Sequence, residues 1–244
     1  MNEMRALIVS EAKLLYREPV YWLVVILLPT AILGIFGSIF GPSEPDPALG
    51  GLRFLDVFVP SLVVITVATL GIQTLPIRLA TYREKGVLRR LSTTPAHPSR
   101  LLIAQFAVYT VTAVIALALL IVVANLGFGV PWPQDPVAYV AAFALGLSSL
   151  FAIGLLLAAI APSSGVATAI AIPLFFVAML LGGVYLPRVF LPEILITIGT
   201  FTPPGVQGLQ DAWLGTAPQL IPLAGLAAIT VVGGLVASRT FRWE

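Results

Sequence analysis

The chain has 244 residues, of which 59% are hydrophobic and only 10% are charged, and its mean hydropathy is +1.03. About a quarter of the residues of a soluble domain are charged, so this composition excludes an ordinary water-facing surface and indicates that lipid surrounds most of the protein. The absence of cysteine excludes disulfides and thiolate metal sites, and the net charge of +2 is too small to indicate a partner.

Six apolar runs, each about twenty residues long, divide the chain. Strands of transmembrane barrels alternate over about ten residues, whereas these runs do not alternate. Helices are the remaining structure that bonds every backbone group within hydrocarbon. We therefore predict an all-α integral membrane protein with a single transmembrane domain over residues 1–244. Its predicted spans are 20–40, 54–77, 102–126, 137–160, 166–186 and 220–237.

Two further segments do not fit a span. Residues 1–19 interleave apolar and charged side chains at helical spacing, which predicts an amphipathic helix lying on the membrane surface. Residues 187–218 are apolar but interrupted by proline and glycine, which predicts short helices that re-enter the membrane from outside.

Lysine and arginine are distributed unevenly between the two sides of the membrane. If the six runs cross in alternation, eleven of the thirteen cationic residues fall on the side of the two termini. Because cationic loops remain in the cytoplasm, we predict that both termini are cytoplasmic.

The sequence lacks groups that catalytic and ion-coupled sites require. It has no GxxxxGK[ST] phosphate loop, no G-x-S-x-G elbow and one histidine, His97, which we expect to be a solvated loop residue. The predicted spans carry no ionisable residue away from their ends, which argues against a proton-coupled transporter. We expect neither an enzyme nor a metal site.

Two spans offer candidates for a substrate pathway. In the second span Thr66, Thr69 and Gln73 are three and four residues apart and share a helix face. In the fifth span the candidates are aromatic and sulfur-containing side chains that bind apolar ligands adaptably: Phe175, Phe176 and Met179. Interhelical hydrogen bonding and packing are the alternative roles.

Residues 81–100, TYREKGVLRRLSTTPAHPSR, hold five of the thirteen cationic residues. A helix over 82–91 would place Val87, Leu88 and Leu91 on one side, with charged residues around them. A short, charged, exposed helix with apolar anchors is a docking surface for another protein. Fixing the topology or touching anionic lipid is the alternative.

The order of residues in this segment is more specific than its charge. REKGVLRRLSTTP resembles the cytoplasmic signature of the ABC-2 type permeases, R-E-[RK]-G-T-[LY]-[KR]-R-L-x-x-[ST]-P, with Val87 in place of the usual threonine. In that family the signature forms a coupling helix that contacts a separate ATPase subunit. The resemblance assigns this role to Tyr82, Arg83, Glu84, Lys85, Gly86, Leu88, Arg89, Arg90 and Leu91, with Thr94 and Pro95 completing the motif.

A second match follows the fifth span. The family's S-G-x-x-x-P-x-x-x-L-P segment is matched at four positions: Gly183, Pro187, Leu191 and Pro192. Thr202-Pro203 stands where Asn-Pro is more usual. With the six spans and the entry helix, the resemblance extends over essentially the whole chain.

The resemblance implies a permease of an ATP-driven exporter in the bacterial plasma membrane. Such permeases pair as two six-span subunits, here a homodimer, with two ATPase subunits that bind ATP and Mg²⁺; no nucleic acid is expected. The second and fifth spans line the interface and pathway, and alternating access moves the substrate. The apolar lining predicts a hydrophobic or amphipathic, drug-like or antibiotic-like substrate. A lipid or lipid-linked glycan is the alternative substrate, and a secondary transporter or channel is the alternative function.

Overall fold

The computed structural model describes residues 3–41, 44–92, 99–186, 190–203, 205–217 and 219–240. Within these residues the regular structure is helical, and the one extended pairing is an isolated bridge between Asp46 and Leu52. The helices are α1 (Glu3–Tyr16), α2 (Pro19–Phe40), α3 (Phe54–Glu84), α4 (Val87–Ser92), α5 (Ser99–Phe128), α6 (Pro136–Ile160), α7 (Ser164–Leu181), α8 (Glu193–Phe201), α9 (Val206–Leu214) and α10 (Leu220–Thr240).

Six of these helices are long and apolar enough to cross a membrane: α2, α3, α5, α6, α7 and α10. They confirm the predicted all-α membrane fold with six spans. Two predicted ends were wrong by several residues. Helix α3 continues beyond 77 to Glu84, because its polar last turns find partners within the chain. Helix α7 ends at Leu181 rather than at 186, because Gly183, two residues later, adopts a left-handed φ of 72°.

The two ends of the bundle carry different elements. We call the end that carries α1, α4 and the turn between α6 and α7 the proximal end, and the end that carries α8 and α9 the distal end. Helix α1 packs against α5, while α9 packs against α6 and α3. The predicted segment 1–19 thus contains α1, and the predicted segment 187–218 contains α8 and α9. That α1 lies on the membrane surface, and that α8 and α9 re-enter the membrane, stay predictions.

Helix α3 is the centre of the bundle. In its most apolar stretch 94% of the residues are buried inside the chain, compared with 22% in α7 and in α10. Where α3 crosses α6, a Cβ on Gly71 would lie 2.7 Å from the Cβ of Leu150, and a Cβ on Gly154 would meet the carbonyl oxygen of Gly71. The two glycines therefore let the backbones approach closely, as small residues do between membrane helices.

Helices α2 and α3 each contain a π-helical turn, Leu23–Leu27 and Thr69–Thr74, directly before a Leu-Pro pair. Proline has no N–H, and its ring clashes with the carbonyl four residues earlier, so the helix widens there. The carbonyl of Val25, four residues before Pro29, accepts a hydrogen bond from the Thr66 hydroxyl at 3.3 Å. The irregular turn of α2 is thereby bonded to α3.

Candidate functional site at the proximal end of α3

The charged segment after α3 forms a two-residue turn and a second, short helix. Helix α3 ends at Glu84, Gly86 has a φ of 65°, and α4 begins at Val87. The prediction of one continuous helix over 82–91 is therefore wrong, because a glycine in the left-handed conformation ends a helix.

Helix α4 is anchored by one side and exposed on the other. Leu88 is completely buried and Leu91 is half-buried, while Val87 is 37% exposed. The predicted apolar side therefore packs mainly against the chain itself. The exposed side of the turn and helix is cationic: Lys85, Arg89 and Arg90.

Arg83 of α3 contacts the carboxyl end of α6. Its Nη1 atom donates to the carbonyl oxygens of Ala158 at 3.0 Å and of Ala161 at 2.8 Å. The last carbonyls of a helix lack partners within the helix and form the negative end of its dipole. A guanidinium group there both donates hydrogen bonds and places positive charge where it is favourable.

Glu84, the next residue, contacts the amino end of α7. Its Oε1 accepts from the backbone N–H of Ser164 at 2.9 Å, and its Oε2 accepts from the Ser164 hydroxyl at 2.8 Å. The hydroxyl of Ser163 caps the same helix by accepting from the N–H of Val166 at 3.2 Å. The amino end of a helix is the positive end of its dipole and has unpaired N–H groups, so a carboxylate is favourable there.

Small side chains lie beneath these polar contacts. Ala80, Ala161 and Ala167 are completely buried and form an apolar cluster of their own, against which Ile77 packs. Their size lets the turn between α6 and α7 approach α3 closely enough for Arg83 to contact the carboxyl end of α6.

The same end of α3 is bonded to α1. The Tyr82 hydroxyl donates to the Glu11 carboxylate, whose oxygens lie at 3.0 and 3.1 Å, and accepts from Nε of Arg78 at 3.3 Å. Arg78 also forms an ion pair with Glu18 at 2.7 Å. The amide of Gln105, on α5, donates to the Glu11 carboxylate at 3.5 Å. Three side chains from α3 and α5 thus surround two carboxylates at or near α1.

Glu11 is an unusually buried carboxyl group, with 4% of its surface exposed. Burial raises its pKa above the ordinary value, while the hydrogen bonds from Tyr82 and Gln105 and the positive charge of Arg78 oppose that rise. The protonated form is therefore easier to keep inside the protein than the ionised form.

A comparison with protein families identifies the chain. Residues 2–204 match the model of the family described as ABC-2 type transporter. The chain belongs to the ABC-2 type transporter family. It is a multi-pass membrane protein and the membrane-spanning part of an ABC transporter, which implies an ATPase partner. No curated protein matches the sequence.

The signature residues of this ABC-2 permease divide into two groups. Tyr82, Arg83 and Glu84 contact α1, α6 and α7 of their own chain. The turn and α4 contain the other signature residues that the structure describes: Lys85, Gly86, Leu88, Arg89, Arg90 and Leu91. Further residues named from the sequence lie outside the described residues: Thr94, Pro95, His97 and Pro187.

Two of the three polar pathway candidates of the permease take part in hydrogen bonds within the bundle. Thr66 and Thr69 are buried, and their hydroxyls donate to the carbonyls of Val25 and Ile65. These bonds are of the kind expected for the alternative role, hydrogen bonding between and within helices, and a pathway role for Thr66, Thr69 and Gln73 stays a prediction. Gln73, on the same helix, is half-buried.

The apolar pathway candidates lie on different sides of α7. Met179 is buried in the core and Phe175 is half-buried, whereas Phe176 is 54% exposed. Phe176 contacts Phe175 edge-on and stacks with Tyr185. A pathway role for these three residues stays a prediction.

Sequence reasoning missed Glu11, Arg78 and the turn at Ser164. For Glu11 a signal was present, because it lies three residues after Ile8 and four before Leu15, within the apolar stripe of α1. A carboxylate in an apolar stripe requires buried partners. No local pattern predicts Ser164 as the partner of Glu84, because the two residues are 80 positions apart.

Proposed function

We propose that this permease is the membrane subunit of an ATP-driven exporter in the bacterial plasma membrane, and that α4 with its preceding turn receives the ATPase subunit. The observation that carries the proposal is the exposed cationic side of α4, with Arg89 and Arg90, on a helix anchored in the core by Leu88. Charge around an anchored helix favours a partner with a complementary acidic surface.

The distribution of charge supports a cytoplasmic position for the proximal end. Among the described residues a single lysine or arginine, Arg53, lies at the distal end, where it pairs with Asp56. The other described cationic residues lie at or near the proximal end, the side that the positive-inside rule assigns to the cytoplasm. In this proposal both termini and α4 face the cytoplasm, and ATP and Mg²⁺ bind to the ATPase subunit.

The proposed mechanism is alternating access in a homodimer. Closure of the ATPase pair displaces α4, and the spans rotate so that the pathway opens outward. We expect the second permease copy to contact α7 and the part of α3 that remains exposed. Because α3 is largely buried in its own chain, α7 offers the larger face for that contact.

The substrate we propose is a hydrophobic or amphipathic compound of the drug or antibiotic type. The spans present apolar faces, and Phe176 is the largest exposed candidate on α7. A lipid or lipid-linked glycan is the second candidate, since it is amphipathic too. Proteoliposomes that export a cationic dye but not a headgroup-labelled lipid would support the first substrate class, and the reverse result the second.

Charge reversal on α4 tests the docking site. In Arg89→Glu/Arg90→Glu, recovery of the ATPase that co-purifies with the unaltered permease is expected to fall more than about tenfold, because like charges across an interface cost several kcal/mol. Arg239→Glu, an exposed arginine at the proximal end of α10, is the matched control and should retain the ATPase. Unchanged recovery with the double variant would refute docking on α4.

A further inference from the structure

Arg83 and Glu84 are adjacent in the chain but bind the ends of two different helices. Arg83 donates to the last carbonyls of α6, and Glu84 accepts from the first residue of α7. The order of the two charges matches the polarity of the two helix ends. We call this pair of contacts the Arg83–Glu84 link.

We propose that the Arg83–Glu84 link transmits the displacement of α4 to the turn between α6 and α7, so that these helices move together with α3. The inference rests on the proposed docking of an ATPase on α4. It assigns Arg83 and Glu84 a positioning role within the permease, instead of the contact with the ATPase that their place in the signature implies.

The chain between the docking helix and the link is very short. Glu84 is the last residue of α3, and only Lys85 and Gly86 separate it from α4. The backbone N–H of Gly86 bonds to the carbonyl of Arg83 at 3.0 Å, and that of Arg90 bonds to the carbonyl of Gly86 at 3.0 Å. A shift of α4 therefore reaches the link through hydrogen-bonded backbone and not through a loose loop.

The link is directional, and we expect it to contribute little to overall stability. Glu84 is exposed, so water screens its interaction with Ser164. The apolar cluster of Ala80, Ala161 and Ala167 remains when either charge is removed. Variants of the link should therefore fold, which separates a positioning role from a structural one.

The main test measures transport per ATP hydrolysed, with the permease and its ATPase together in proteoliposomes. In Arg83→Ala and Glu84→Ala the ATPase should still co-purify and hydrolyse ATP, while transport per ATP falls about 2- to 30-fold, the range of coupling along contact networks. Arg83→Lys, which keeps a donor, should recover part of the loss. Glu193→Gln, an exposed carboxylate on α8 at the distal end, is the matched control with unchanged transport per ATP.

Each outcome of this test has one meaning. Wild-type transport per ATP in both alanine variants overturns the link. Parallel loss of protein, hydrolysis and transport also overturns it, because that result indicates a structural role. Both proposals are supported if Arg89→Glu/Arg90→Glu loses the co-purifying ATPase while the link variants keep it and show reduced transport per ATP. Unchanged ATPase recovery in that double variant refutes docking on α4, and with it the transmission of a displacement from α4 through the link.

A second measurement uses the permease alone in nanodiscs. Hydrogen exchange of a peptide covering 158–167 should be faster in Glu84→Ala and Arg83→Ala than in the unaltered chain, while peptides from α9 are unchanged. Equal exchange of 158–167 in all three proteins would overturn the link independently of any ATPase.

Discussion

The proximal and distal ends of this permease are held together by different interactions. At the proximal end, charged and polar side chains of one helix, α3, bond to α1, α6 and α7. At the distal end, α9 is held by apolar burial around Trp213, which packs edge-on against Tyr139 with ring centroids 5.5 Å apart. Backbone hydrogen bonds from Gln134 and Asp135 to the end of α9 complete that contact.

This difference separates transmission from stability. Hydrogen bonds to charged groups fix direction and distance, yet their net contribution is modest because the same groups bond to water in the unfolded chain. Apolar burial is larger and has no preferred direction. The proximal end is therefore suited to passing a displacement between helices, and the distal end to resisting one. Two variants test that comparison, one at each end, and a third tests the packing between α3 and α6; they follow from the largest expected effect to the smallest.

Removing the distal aromatic anchor should have the largest effect on stability. Trp213→Ala is expected to lower the free energy of unfolding by about 3–5 kcal/mol, the usual cost of deleting a buried aromatic side chain. Thermal unfolding in detergent would measure it. The matched control is Trp132→Ala at the same end, where the tryptophan is 53% exposed and the expected change is about 0.5 kcal/mol. Equal losses in both variants would contradict a distal end held by burial.

Overpacking the contact between α3 and α6 should have an intermediate effect on stability. In Gly154→Ala the new methyl group meets the carbonyl of Gly71, so overpacking is expected to cost about 1–3 kcal/mol. Gly234→Ala is the matched control, because nothing lies within 4 Å of its Cβ position and alanine favours a helix over glycine by up to about 1 kcal/mol. The two variants should shift the midpoint of thermal unfolding in opposite directions. A shift of the same sign and size in both would rule out close packing at Gly154.

The spans could be predicted because each segment that crosses the lipid must itself be an apolar run of spanning length. Six apolar runs of spanning length correspond to six helices, and the segment REKGVLRRLSTTP indicates the family to which the chain belongs. The ends of α3 and α7 were less predictable. Helix α3 runs past its apolar stretch because Arg83 and Glu84 find partners far away in the chain.

The candidate site was predictable in position but not in its contacts. Charge and residue order predict a docking segment after the second span, but they also predict a helix across Gly86, and the structure shows that the helix is interrupted there. The contact of Glu84 with Ser164 depends on how α6 and α7 pack on α3, which no pattern within either segment contains. Thr66 was a pathway candidate by helical spacing, and the proline at position 29 explains its bond to Val25.

The smallest expected effect comes from Glu11 and depends on pH. Because burial raises the pKa of this carboxyl above 4.5, its contribution to stability is fully present below pH 4.5 and is lost as the pH rises through the raised value. Glu11→Gln keeps an uncharged acceptor for the Tyr82 hydroxyl at every pH. The variant should therefore match the unaltered permease in acid and unfold at a higher temperature than it does near neutral pH. A difference in unfolding temperature that is constant across pH would show that ionisation of Glu11 does not strain the proximal end.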